Sequence, residues 1–166
     1  MGVKLRPETL DLSVVLPCLN EAANLRVLLP SLHETLNQLG ITWEILIIDG
    51  PSTDDTKAVA EGHGARYIRD EQRGYGRAIL RGFEEANGRY VLTMDADLSH
   101  PSPFVARLWD SRDRGDLVIA SRYVPGGKAD QPWARLTLSK ILNGFLRTAL
   151  TLEPLDLSSG FRLYRV

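Results

Sequence analysis

Residues 89–101 read RYVLTMDADLSHP, so two carboxylates, Asp95 and Asp97, stand one residue apart at the end of an apolar run. Like charges that close stay ionised only when something cationic joins them. If strand geometry persists to Asp97, residues two apart point the same way. Two hard oxygen donors on one side then suit Mg²⁺ or Mn²⁺, which takes one or two carboxylates together with substrate phosphates. The alternative is a turn in which Asp97 caps the following segment, and spacing alone leaves the two readings balanced. Asp49 follows the apolar ILII. A carboxylate there can accept hydrogen bonds from a base ring N–H or from ribose hydroxyls, although a loop-opening aspartate is the plainer reading. Arg122, in SRY at 121–123, offers a guanidinium of the kind that grips phosphate oxygens in a bidentate manner. An exposed, salt-bridging arginine is the commoner outcome for such a residue taken alone.

These residues need a scaffold that brings them together, and the apolar pattern describes one. LSVVLP (12–17), WEILIID (43–49), ARYIR (65–69), RYVLTM (89–94) and DLVIA (116–120) read as strands. Between them lie helical segments. One spans about 21–39, with Asn20 as its cap and Leu25, Leu28, Leu29, Leu32 and Leu36 as its stripe. A second starts at STDDT (52–56), with hydroxyl caps and first-turn acids. A third is YGRAILRGFEEAN (75–87), closed by Gly88, and a fourth covers 102–113. Apolar strands alternating with helices predict an α/β fold, a Rossmann-like, mostly parallel sheet covered on both faces. Ligands bind such sheets beyond the carboxyl ends of the strands. PCLNE, DGPSTDD, DADLSH and SRYVPGG are the segments that follow the first, second, fourth and fifth strands. Their convergence is stronger than any one motif. GYGRAI (74–79) is not a dinucleotide fingerprint, because it follows the third strand and ends in Ile79; its glycines let a loop pass close to the site.

Composition narrows the possibilities. The 166 residues are 43% hydrophobic and 25% charged, with a formal net charge of −1, so no global signal points to nucleic acid. Cys18 is the sole cysteine, and His33, His63 and His100 have no zinc-like spacing. No Ser-His-Asp or Cys-His arrangement stands out. Neither a signal peptide nor a spanning apolar run of about 18 residues is present, and a cytoplasmic location is the expectation. Segment 131–152, QPWARLTLSKILNGFLRTALTL, combines apolar residues at roughly helical spacing with Arg135, Lys140 and Arg147 and no acid.

Taken together, VVLPCLNEAANL, EILIIDGPSTDDT, GYGRAILRGFEEANGRYVLTMDADLSHPSP, ASRYVPGG and DLSSGFRLYR resemble, in order, the motifs of the family-two, GT-A-fold glycosyltransferases. Among these the chain is most similar to the dolichol- or polyprenol-phosphate mannose synthases, from residue 12 to the end. The resemblance implies inverting transfer of a sugar, mannose from GDP-mannose, to a polyprenyl or dolichyl phosphate with the help of Mg²⁺ or Mn²⁺. A UDP-sugar donor with another acceptor, or a nucleotide-sugar-binding fragment without turnover, are its alternatives. Pro17, Leu19, Glu21, Ile48 and Asp49 fall where the family contacts the nucleoside, and Asp95, Ala96 and Asp97 fall on its diphosphate and metal site. Arg122 and Arg135 fall on its phosphate-binding arginines. Leu19 replaces the family's Tyr, Gly50 replaces the second Asp of its D-D pair, and Ser99 stands where some members place a third metal ligand, Gln. The resemblance also implies one GT-A domain over 1–166 that lacks the family's C-terminal part, and a segment 131–152 that faces the acceptor and lies peripherally against the cytoplasmic face of a membrane.

Overall fold

The computed structural model describes residues 10–71, 74–121 and 159–166. Six strands, β1 (Leu10–Cys18), β2 (Trp43–Asp49), β3 (Arg66–Arg69), β4 (Gly88–Thr93), β5 (Leu117–Ile119) and β6 (Arg162–Arg165), form one sheet in the order β3-β2-β1-β4-β6-β5. The first four are mutually parallel, and β6 runs antiparallel to both β4 and β5. This is a mostly parallel sheet, with one reversed strand that the apolar pattern alone did not reveal. Four α-helices, α1 (Ala22–Gln38), α2 (Thr56–Gly62), α3 (Tyr75–Glu85) and α4 (Phe104–Asp110), and a short 3-10 helix complete the described elements.

Both faces of the sheet are covered, which is why β1 and β2 read as nearly unbroken apolar runs. Leu12, Val14 and Leu16 turn to the face packed by α1, α2 and α4. Val15 turns to the other, with Leu46, Ile48 and Val91 beneath Ala78 and Phe83 of α3. The expected stripe of α1 is buried throughout: Leu25, Leu28, Leu29, Leu32 and Leu36 are each at most 2% exposed.

Several local expectations are corrected. Asn20 does not cap α1; it adopts a positive φ of 58°, and its side chain turns to the neighbouring loop. No acid lies in the first turn of α2, because that helix begins only at Thr56. Gly88 does not close α3, which ends at Glu85; it opens β4, where its N–H donates to the Ser13 hydroxyl at 2.8 Å. The helix expected over 102–113 is α4 followed by a separate 3-10 turn at Arg112–Arg114. Segment 131–152, with Arg135, Lys140 and Arg147, lies outside the described residues, as does Arg122. Among the described residues no helix is long and apolar enough to cross a membrane.

Candidate active site at the carboxyl ends of β1, β2 and β4

Parallel register places Pro17 opposite Ile48 and Cys18 opposite Asp49, so the loops leaving β1 and β2 emerge side by side. Hydrogen bonds then join them. The Asn20 N–H donates to Ser52 Oγ (2.7 Å), Thr53 N–H to Asn20 Oδ1 (2.8 Å), and Glu21 N–H to Thr56 Oγ1 (2.9 Å). Ala22, the first residue of α1, donates its N–H to Asp54 Oδ2 at 3.0 Å, so the cap of α1 comes from the loop after β2. Asp54 Oδ1 accepts from the Thr56 hydroxyl and N–H. Burial opposes ionisation of Asp54, yet these donors outweigh it and hold the carboxyl below its usual range.

Asp49 sits inside this frame and is only 1% exposed. Ser52 Oγ donates to its Oδ1 (2.6 Å) and Tyr67 Oη to its Oδ2 (2.8 Å). Burial, followed by the Asp49 carboxylate, pushes the Tyr67 phenol up to about 12. Beside it, Ile48 is fully buried, Pro17 and Glu21 are half-buried, and Leu19 is exposed. Glu21 Oε2 accepts from the Asn24 amide at 2.6 Å. Burial pushes the Cys18 thiol well up, with Asp49, Glu21 and Asp54 adding to the effect, so it remains a protonated core residue.

At the end of β4 the strand ladder stops at Thr93 and does not persist to Asp97. A turn intervenes: Leu98 has φ 64°, and the Ser99 N–H donates back to Asp97 Oδ1 at 3.0 Å. The pleat therefore does not align the two aspartates, yet both stay at the site. Asp97 is exposed, and Ala96 between them is buried. Burial raises the Asp97 carboxyl, but the Ser99 hydroxyl and N–H bring it below the usual range. Ser99 thus directs both of its donors at Asp97.

Asp95 is enclosed on several sides. Its N–H donates to His100 Nδ1 at 3.0 Å. The Tyr75 hydroxyl donates to its carboxylate; burial, then the Asp95 charge, raises that phenol far above its usual value. Gly160 lies against both groups. A Cβ at Gly160 would fall 2.5 Å from Tyr75 Oη and 3.1 and 3.2 Å from the two Asp95 oxygens, so any larger residue would displace the pair. Gly160 is seated by its carbonyl, which accepts from the Thr93 hydroxyl at 2.8 Å. Tyr75, Gly76, Ile79, Thr93, Asp95 and Arg162 are among the residues lining a cavity of about 500 Å³ between the start of α3 and β6. Gly74, which leads into α3, has φ 127°, a conformation that explains a glycine at that bend.

The structure therefore brings Pro17, Leu19, Glu21, Ile48 and Asp49 to one rim and Asp95, Ala96, Asp97 and Ser99 to the end of β4. Arg122 and Arg135 lie outside the described residues. Asp95 and Asp97 supply oxygen donors only, the chemistry Mg²⁺ and Mn²⁺ prefer. Among the described residues no three His, Cys, Asp or Glu side chains gather as a metal site, so a divalent ion here would complete its shell with water and phosphate oxygens. Sequence reasoning missed Ser52, Tyr67, Tyr75, His100 and Gly160. Ser52 and His100 had local signals, three positions after Asp49 and five after Asp95; Tyr67 arrives through strand register, Tyr75 at the start of α3 and Gly160 ahead of β6.

The model of glycosyl transferase family 2 matches residues 13–166. The chain is similar to the dolichol-phosphate mannosyltransferase of Pyrococcus furiosus, with 34% identity over 161 residues, 92% of this chain and 45% of the relative. It is also similar to the polyprenol monophosphomannose synthase of Mycolicibacterium smegmatis, with 37% identity over 164 residues, 92% of this chain and 60% of the relative. It thus spans about half the length of these relatives. Among solved structures it resembles glucosyl-3-phosphoglycerate synthase from Mycobacterium tuberculosis in complex with Mn²⁺, UDP and glucosyl-3-phosphoglycerate. There the TM-score is 0.72 at 26% identity, over 94% of this chain and 57% of that one.

Proposed function

The chain belongs to glycosyl transferase family 2, and from that premise we propose that it forms the donor-binding part of an inverting mannosyl transfer from GDP-mannose to a polyprenyl or dolichyl phosphate. The observation that carries this reading is that two carboxylate sites follow the strands on either side of β1, at the carboxyl end of one sheet. Asp49 lies in the frame built by the β1 and β2 loops, and Asp95 and Asp97 follow β4. The frame with Pro17, Leu19, Glu21 and Ile48 takes the nucleoside. Asp95 and Asp97 hold Mg²⁺ or Mn²⁺, which when bound neutralises charge on the departing diphosphate. Ser99 keeps Asp97 ionised and oriented.

An acceptor phosphate oxygen bonds to the sugar's anomeric carbon from the face opposite the nucleotide. The bond from that carbon to the diphosphate breaks with its electron pair, and the configuration inverts. A phosphate acceptor is already anionic near pH 7, so no protein base has to remove a proton. Arg122 and Arg135 are assigned to the phosphates by resemblance alone. Segment 131–152 is assigned to the acceptor side and to a peripheral position on the cytoplasmic face of a membrane.

The names of the sequence relatives favour a mannosyl donor and a lipid phosphate. The UDP in the structural neighbour favours a second reading, a UDP-sugar donor. Calorimetric titration of GDP-mannose, GDP, UDP-glucose and UDP, each with Mn²⁺ and with EDTA, separates them. GDP-mannose is expected to bind most tightly, and only with metal, and Asp97→Asn to abolish most of the metal dependence. Equal GDP affinity in EDTA and in Mn²⁺ would remove the metal site from the mechanism, and preference for UDP-glucose would replace the donor.

A further inference from the structure

His100 has no part in the transfer just described, yet it touches one member of the acid pair, Asp95. Its ring lies flat on Phe161, with centroids 4.8 Å apart and planes 19° apart. Phe161 is itself 3% exposed and packs on Phe104. The imidazole therefore rests on the residue that leads into β6, which is itself backed by the start of α4. Its Nδ1 accepts the Asp95 N–H at 3.0 Å. A nitrogen that accepts carries no proton, so the neutral ring bears its proton on Nε2. That Nε2 lies 3.8 Å from Asp95 Oδ2. One side chain thus approaches the same aspartate at both its backbone and its carboxylate.

The location explains why such a device is useful. Thr93 is the last laddered residue of β4, and Leu98 already has a positive φ. Asp95 falls between them, where neither strand nor turn fixes the chain. We propose that His100 is a positioning residue for Asp95: by accepting the Asp95 N–H it sets the direction in which that carboxylate faces a divalent cation. Tyr75 restrains the same carboxylate through its hydroxyl. The inference rests on the donor-site reading above and adds a residue to it. Groups that orient a metal-binding carboxylate from outside are typically responsible for about 10–100-fold in metal affinity.

The alternative is that His100 merely fills space on Phe161, and three substitutions separate the two. His100→Phe keeps the stacking and loses the acceptor. His100→Asn gives up the ring but offers an amide oxygen close to the Nδ1 position. His100→Gln carries its oxygen one atom further out, towards the Nε2 position. Mn²⁺ affinity is read by electron paramagnetic resonance on the intact chain with GDP present, beside the melting temperature of each variant. His100→Phe is expected to fold like the wild type and bind Mn²⁺ at least about tenfold more weakly, with His100→Asn recovering most of the loss and His100→Gln little of it. If His100→Phe does not fold, the Asn–Gln pair alone decides. Wild-type Mn²⁺ affinity in His100→Phe, or equal affinity in the Asn and Gln variants, overturns the positioning role and leaves the donor site standing. Failure of the wild type itself to bind Mn²⁺ with GDP overturns the donor site and this inference together.

Discussion

Tyr67→Phe removes one hydroxyl and leaves the ring that packs against the core, so it isolates a single contact. That hydroxyl donates to Asp49 Oδ2 at 2.8 Å, and the aspartate is only 1% exposed, which denies water easy access to the vacated position. Hydrogen bonds to a charged group contribute about 1.5–3 kcal/mol, so the variant should lose about 2 kcal/mol at neutral pH. The same contact makes a second, pH-dependent statement. Burial, then the Asp49 carboxylate, raises the phenol from 10.0 to about 12. A folded value above the unfolded one means that the native state keeps its proton longer. The associated stability is complete below pH 10 and is lost as pH rises through 12. Two units at full strength would amount to about 2.7 kcal/mol. The ring is only partly buried, and solvent screening reduces this to about 1–2 kcal/mol. Phenylalanine cannot titrate, so the stability gap between wild type and variant should narrow by that amount between about pH 9 and pH 12. Urea unfolding followed by tryptophan fluorescence measures both, and the difference cancels titrations common to the two proteins. A gap near zero at pH 7, or one that stays constant to high pH, would refute the reasoning.

Asp54→Ala removes the cap of α1 and the acceptor of Thr56, and should cost about 1–2 kcal/mol in urea unfolding. Although burial opposes it, hydrogen bonding keeps this carboxyl below 3.8, so its contribution is present above that pH and lost as pH falls through the lower folded value. The wild-type advantage should therefore shrink in acid, and a pH-independent gap would count against the cap. Gly160→Ala should destabilise by about 1–3 kcal/mol through overpacking against Tyr75 and Asp95. It should also weaken Mn²⁺ binding measured by calorimetry, and an unchanged affinity would mean that the two side chains yield freely. Leu163→Ala, at a β6 position 2% exposed, should cost about 2–5 kcal/mol in the same unfolding assay, and less than about 1 kcal/mol would make β6 peripheral to the core.

The sheet and its helices were legible in the sequence because their signals are local. Five apolar runs and the leucine stripe of α1 follow from periodicity alone, and Asp49 and Asp95 can be seen at strand ends. Most of what escaped was assembled from distant segments. Asp49 obtains its two donors from Ser52, three residues on, and from Tyr67 on another strand. The cap of α1 comes from Asp54, 32 positions away, where a local rule selected Asn20. The strand rule failed at Asp97 because the ladder ends at Thr93, and the turn that follows, with Leu98 at a positive φ, is a conformation that a leucine side chain does not advertise. β6 is four residues long with polar ends, RLYR, too short for alternation to separate it from a loop.

The placement of β6 also shapes how the sheet must be acquired. Strands β1 to β4 pair among themselves using residues 10–93, and all of their connections are helical crossovers. β5 has no place beside β4 until β6 lies between them. The Thr93–Gly160 hydrogen bond that seats β6 spans 67 residues, a separation whose loop-closure entropy slows folding. During synthesis the frame around Asp49 can therefore form while the chain is still emerging, whereas the enclosure of Asp95 by Tyr75 and Gly160 waits for residues 159–165. The two carboxylate sites are therefore completed at different times: the one around Asp49 is ready first, and the one around Asp95 last.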